Sequence, residues 1–196
     1  MDVVIVESGG ANLASLQYAL ERLGARSQVS RDPRRLTAAT HVILPGVGAA
    51  ADAMRRLEDT GLASTIGLLT QPVLGICLGM QLLFRTSEEG PTRCLDLLPG
   101  TVRQIHGAAG RPVPHMGWNQ LRPDREDPLL DGIGPDEYAY FVHSYAAPVC
   151  AFTLAHTEYG TPMSAVVRHR NFCGTQFHPE RSGKTGARLL QNFLRL

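Results

Sequence analysis

Apolar residues along the first half of the chain fall into two alternating rhythms. Short continuous runs, residues 3–6, 41–44 and 73–76, have the length and β-branched content of strands buried on both faces. A fourth strand is expected near residues 26–29. Between these runs Leu13, Leu16, Leu20 and Leu23 recur at helical spacing up to Gly24, which can end a helix. Asn12 stands where a helix cap is expected. Residues 49–57 and 78–84 also read as helical, and Pro45-Gly46-Val47-Gly48 breaks the third run. Strand and helix in alternation predict an α/β fold: a doubly wound, mostly parallel sheet with helices on both faces. Active sites of such folds form at the carboxyl ends of the strands.

After residue 91 the pattern changes. Proline, glycine and charge become frequent, and short β-prone runs appear at 101–105, 138–142, 152–155 and 165–167. They predict hairpins and an antiparallel extension of the sheet. A last strand is expected over 173–177, and a closing helix over 187–196 with Leu189, Leu190, Phe193 and Leu194 inward. No repeat or linker interrupts the chain, so one domain over residues 1–196 is expected.

Composition narrows the classes. A net charge of +1 and 19% charged residues offer no field for nucleic acid. No apolar run is long enough for a membrane span, and the start shows no secretory leader. Cys77, Cys94, Cys150 and Cys173 are too scattered for a zinc site or a disulfide framework, which favours a reducing, cytoplasmic setting.

Gly75-Ile76-Cys77-Leu78-Gly79 carries candidate chemistry. A nucleophile on a sharp strand-to-helix turn needs small residues two before and two after it. The helix start then favours thiolate, and the N–H of Leu78 is placed to bind an oxyanion. A cysteine alone would read as a small buried hydrophobe; the strand, glycines and helix around this one favour a nucleophile. Its base is expected at His178, which follows a strand-like run. Glu180, two residues on along an extended segment, would orient the ring across Pro179. The other histidines, 41, 106, 115, 143, 156 and 169, lack such a partner spacing and read as structural or surface residues, with His143 bordering the pocket. The glycines of residues 45–48 can aim backbone N–H groups into a site, or simply form a tight turn.

Together these segments resemble the class I (triad-type) glutamine amidotransferases. The elbow and His178-Pro179-Glu180 mark the superfamily; Pro45-Gly46-Val47-Gly48, residues 114–119 (PHMGWN) and residues 141–145 (FVHSY) look most like the glutaminase subunits of imidazole glycerol phosphate synthases. The resemblance implies hydrolysis of glutamine by Cys77, His178 and Glu180. It implies an oxyanion site at Leu78 with Val47 or Gly48, and contacts to the glutamine α-groups from Gly48, Gln81, Ser144 and Tyr145. Gln81, one helical turn beyond Cys77, shares its face. It further implies no metal or organic cofactor. The partner implied is a cyclase subunit, bound as a heterodimer, where the ammonia meets a phosphoribulosyl imidazole-carboxamide intermediate of histidine biosynthesis. Departures from the family pattern fall at Glu7 to Asn12, at Ala50 in place of a bulky aromatic, and at Arg181 in place of lysine; the first and last bear on partner contacts. Two alternatives stay open from sequence: an amidotransferase serving a different synthase, and a cysteine hydrolase of peptides or esters.

Overall fold

A computed structural model describes residues 2–8 and 13–196. Its strands are β1 (Asp2–Val6), β2 (Arg26–Ser30), β3 (His41–Gly46), β4 (Val73–Cys77), β5 (Phe84–Ser87), β6 (Thr92–Arg93), β7 (Leu98–Gln104), β8 (His115–Gln120), β9 (Arg122–Pro123), β10 (Tyr138–His143), β11 (Tyr145–Ala146), β12 (Thr153–Tyr159), β13 (Thr161–His169) and β14 (Phe172–Thr175). The α-helices are α1 (Leu13–Arg22), α2 (Pro33–Ala38), α3 (Ala50–Asp59), α4 (Leu62–Gly67), α5 (Leu78–Leu82) and α6 (Gly183–Phe193).

The main sheet runs β2-β1-β3-β4-β14-β13-β12-β9. Its first five strands are parallel, and β13, β12 and β9 continue it antiparallel. The α/β expectation and its antiparallel extension are thus both met. Alternate residues of the buried strands feed two cores. Val3, Ile5, Ile43 and Leu74 meet α1 and α6 through Leu16, Leu20, Leu189, Leu190 and Phe193. Val4, Val6, Val42 and Leu44 meet the other helices through Leu36, Met54, Leu57, Ile66 and Met80. No helix among the described residues is long and apolar enough to cross a membrane.

Several local expectations need correction. The helix after Cys77 ends at Leu82 rather than residue 84: Phe84 begins β5, which pairs in parallel with β7. That pairing, set by residues 98–102, overrides the helical reading of the Leu82-Leu83-Phe84 run. Pro45 and Gly46 do not break β3; they stay in register with Ile76 and Cys77. The ladder can hold Pro45 because β1 pairs with β3 only at residues 41–43, leaving the far side unpaired there. Two short helices went unread. The first, α2, carries a plain start signal, since Asp32 accepts from Arg34 N and Pro33 occupies the first turn. The cap expected at Asn12 lies outside the described residues.

The turn from β4 into α5 is closed by close backbone approach. A Cβ on Gly79 would lie 1.8 Å from the Leu44 carbonyl oxygen, and one on Gly75 would lie 2.6 Å from the Gly79 oxygen. Gly79→Ala is therefore expected to cost about 3 kcal/mol by forcing the helix off the sheet. Gly24→Ala sits at φ +76 with open space around it and should cost only about 1 kcal/mol. Urea unfolding of the two variants would show similar midpoints if the close approach were unimportant.

Candidate active site

Strand order places the reacting groups. β4 lies between β3 and β14, with Gly46 opposite Cys77 on one side and Thr175 opposite Ile76 on the other. The loop after Gly46 therefore flanks Cys77 on one edge. Gln176 and His178, just past the end of β14, flank it on the other.

Cys77 itself has φ 54 and ψ −111, a strained backbone for a side chain with a Cβ. The neighbouring strands and glycines impose it, and it points the sulfur out of the turn. Leu78 is the first residue of α5, so its N–H belongs to the helix end that lacks an intrahelical acceptor. Cys77 Sγ lies 3.8 Å from Val142 O, and Gln176 Nε2 donates to it at 3.8 Å. Sequence reasoning missed Gln176; its position immediately after the strand beside the elbow was the available signal.

His178 meets Glu180 as expected, with Nδ1 2.9 Å from Oε1. The route differs. Pro179–Arg181 is a single 3-10 turn rather than an extended segment, and it folds the carboxylate back onto the ring. This turn is clamped to β10: His178 N donates to Tyr140 O, Tyr140 N donates to Ser182 Oγ, and Ser182 Oγ donates to His178 O. α6 presses on it from below, since a Cβ on Gly186 would lie 2.0 Å from Pro179 O.

Burial opposes a charge on His178, but hydrogen bonds with Cys77 and Glu180 and the negative charges of those groups outweigh it, lifting the ring to about 10. His178 is thus held between a sulfur and a carboxylate, both of which favour the protonated ring. The second carboxylate oxygen, Glu180 Oε2, is buried with no partner among the described residues. A cavity of about 310 Å³ opens beside the pair, lined by Pro45, Gly46, Val47, Val142, His178 and Arg181 among others.

Gly48 takes φ +88 in the turn between β3 and α3, with open space where a Cβ would stand. Ala50, the first residue of α3, donates its N–H to Glu89 Oε2 at 2.8 Å, so a side chain from the β5–β6 turn holds the end of that loop. Gln81 is buried behind Cys77 rather than open to the pocket. Its Nε2 donates to Tyr145 O at 2.7 Å and to Gln176 Oε1 at 3.1 Å. Ser144 and Tyr145 follow β10 directly, and Ser144 O accepts from Ile105 N. The site thus gathers Cys77, His178, Glu180, Leu78, Gln81 and the 45–48 loop at the carboxyl ends of β3 and β4.

The remaining cysteines take no part. Cys94 and Cys173 are buried, Cys150 is partly buried, and all are free thiols. Burial pushes Cys94 up to about 11 and Cys173 up to about 12, which keeps both protonated and inert. Not every other histidine is unpartnered: His156 Nδ1 lies 2.8 Å from Asp124 Oδ1, and His115 meets His143. These partners come from segments distant along the chain, which spacing does not reveal.

Comparison with known proteins bears on the family and the fold. A family model described as glutamine amidotransferase class-I matches residues 4–196. The chain is 56% identical over 195 residues to the imidazole glycerol phosphate synthase subunit HisH of Xanthomonas euvesicatoria pv. vesicatoria, covering 100% of this chain and 98% of that protein. It is 52% identical over 196 residues to the protein of the same description from Idiomarina loihiensis, with 100% and 98% covered. Among solved structures, one described as a glutamine amidotransferase superposes with a TM-score of 0.76 at 21% identity, over 98% of this chain and 97% of that one. Another glutamine amidotransferase, from Thermotoga maritima, gives 0.71 at 16% identity, over 100% and 96%. At these identities the structures speak to the fold.

The His178 pairing has a defined pH window. A group raised in the folded state stabilises fully below its unfolded value, here 6.5, and that contribution disappears as pH rises through about 10. Glu180→Gln removes a carboxylate charge that helps hold the proton. The ring should then titrate lower by about one unit or more. An NMR titration of His178 that does not move on this substitution would exclude Glu180 as the cause.

Proposed function

The chain belongs to the glutamine amidotransferase class-I family, and on that premise we propose that residues 1–196 act as one unit, the glutaminase subunit of an imidazole glycerol phosphate synthase. It hydrolyses glutamine to glutamate and ammonia and hands the ammonia to a cyclase subunit in histidine biosynthesis, in the cytoplasm. The observation that carries this reading is the strained Cys77 on its strand-to-helix turn beside a His178 ring that Glu180 holds at 2.9 Å. Full-length likeness to HisH subunits supplies the substrate and the pathway.

In the first step, the Cys77 sulfur attacks the side-chain amide carbon of glutamine. The resulting oxyanion is bound by the Leu78 N–H and by an N–H of Val47 or Gly48. Protonated His178 then serves as the acid: it gives its proton to the amide nitrogen as the C–N bond breaks, and ammonia leaves. The neutral ring then takes a proton from water, whose oxygen attacks the thioester; glutamate departs and the thiolate–imidazolium pair is restored. Gly48 and the backbone of Ser144 and Tyr145 frame the α-groups of the substrate, and Gln81 braces them from behind through the Tyr145 carbonyl.

For the partner, the support is a surface beside the cavity. β8 and β10 pair as a separate two-stranded ribbon. Its outer face carries Met116 (62% exposed), Trp118 (57%) and Tyr138 (51%). Tyr140 on the same face stacks edge-on with Trp118 and lies under the Arg181 guanidinium, 4.5 Å from ring to carbon. Exposed aromatics with an arginine are what a docking site concentrates. Arg181, one of the departures noted from sequence, thus belongs to this surface; Glu7, another, instead pairs with Arg31 at 2.8 Å.

Glutamate release from glutamine should be measured for the chain alone, then with a cyclase subunit and its nucleotide ligand. Strong stimulation by that pair is expected. A rate indifferent to the cyclase, with Cys77 still alkylated by a glutamine analogue, would assign the chain to a different synthase. Cys77→Ala is expected to lower the rate by about six orders of magnitude. Trp118→Ala should weaken cyclase binding by about 30-fold while leaving Cys77 alkylation by iodoacetamide unchanged; equal loss of both would place Trp118 in the fold rather than the interface.

A further inference from the structure

Behind the pocket, on the inner face of the β8–β10 ribbon, two buried histidines lie in direct contact. His143 Nδ1 is 2.8 Å from Tyr145 O, and its Nε2 is 3.0 Å from His115 Nδ1. His115 Nε2 is 3.2 Å from Asn119 Nδ2, which also donates to Glu158 O at 2.9 Å. Asn119 Oδ1 accepts from Gln120 N, so its amide orientation is fixed. His115 is sandwiched between the rings of Phe141 and Tyr159, at 5.1 and 4.0 Å.

Only one arrangement of protons satisfies this set. A carbonyl can only accept, so His143 Nδ1 carries a hydrogen. His143 Nε2 then accepts from His115 Nδ1, and His115 Nε2 accepts from Asn119. Each link holds a single proton, and a charged ring at either position would set two donors face to face. Burial acts the same way, pushing His115 down to about 4 and His143 to about 3, the latter with help from His115 and His178. The row ends on the Tyr145 carbonyl, which also takes the amide of Gln81; Gln81 in turn donates to Gln176, and Gln176 to Cys77 Sγ.

We propose that Asn119, His115 and His143 are positioning residues for glutamine hydrolysis: a neutral donor relay that fixes the Tyr145 carbonyl and, through Gln81, the part of the pocket that receives the glutamine α-groups. The inference rests on the glutaminase reading for its substrate. The catalytic sulfur is reached from the relay only through two further side chains, Gln81 and Gln176, the last contact being 3.8 Å long, so the relay controls substrate affinity far more than the reactivity of Cys77.

His143→Ala removes the donor to Tyr145 O and should raise KM for glutamine about fivefold or more, the worth of one buried hydrogen bond. Alkylation of Cys77 by iodoacetamide, which lacks α-groups, should stay within about twofold, since the altered bond is one the probe does not need. His143→Asn restores a donor in the place of Nδ1 and should return KM to within about twofold of the native value, because its amide can reach the same carbonyl. An unchanged KM in His143→Ala, parallel loss of alkylation, or failure of His143→Asn to rescue would each overturn the proposal. Nitrogen-15 NMR of the native protein judges the relay independently of turnover: both rings should be neutral and carry hydrogen on Nδ1, and an Nε2–H form on either refutes it. A native protein that releases no glutamate yet shows both Nδ1–H signals would refute the substrate reading while confirming the relay.

Discussion

The approach of α5 to β3 and β4 leaves no room for a side chain at Gly46, Gly75 or Gly79. That steric constraint turns the chain sharply at Cys77 and fixes its φ at 54. It sets the sulfur at the strand ends, where β14 delivers His178 and the 45–48 loop delivers backbone N–H groups. Hydrophobic burial on both faces of the sheet holds the strands in the register this requires, because nearly all of β3, β4 and β14 is inaccessible to solvent. The chemistry is thereby built on backbone and core rather than on surface loops, with the 3-10 turn at Pro179–Arg181 clamped between β10 and α6.

The β8–β10 ribbon shows how one element can serve two surfaces. Side chains alternate across a strand, so β8 points Met116 and Trp118 outward while His115 and Asn119 face the interior. β10 does the same with Tyr138 and Tyr140 outside and Phe141 and His143 inside. In the readings proposed above, the outer row faces a partner and the inner row braces the substrate pocket. A shift of the ribbon as a body would be felt by both.

Much of this was legible in the sequence, for particular reasons. The parallel half announces itself because buried strands are short, apolar and punctuated by glycine, and because the elbow's glycines mark the one place where β4 must turn. Cys77, His178 and Glu180 follow from local spacing, although the 3-10 turn that joins the last two was read as extended. What stayed hidden depends on contacts between distant segments. Phe84 joins a strand only because residue 98 pairs with it, and Gln176 matters only because β14 lies beside β4. The His115–His143 pair spans 28 residues, and nothing in either segment alone foretells it. Gln81 lies one turn beyond Cys77 as spacing implied, but its burial behind the sulfur required the tertiary structure.

The strained backbone at Cys77 has a consequence for how such a chain changes over generations. A residue with a Cβ held at φ 54 and ψ −111 stores on the order of 1–3 kcal/mol that glycine would not. At this position the residue that suits the fold best is unreactive, and a nucleophile is tolerated only because the surrounding packing is strong enough to carry it. A descendant freed from hydrolysis could become more stable by a single substitution there, so the persistence of cysteine in a lineage is itself a record of continued selection for turnover.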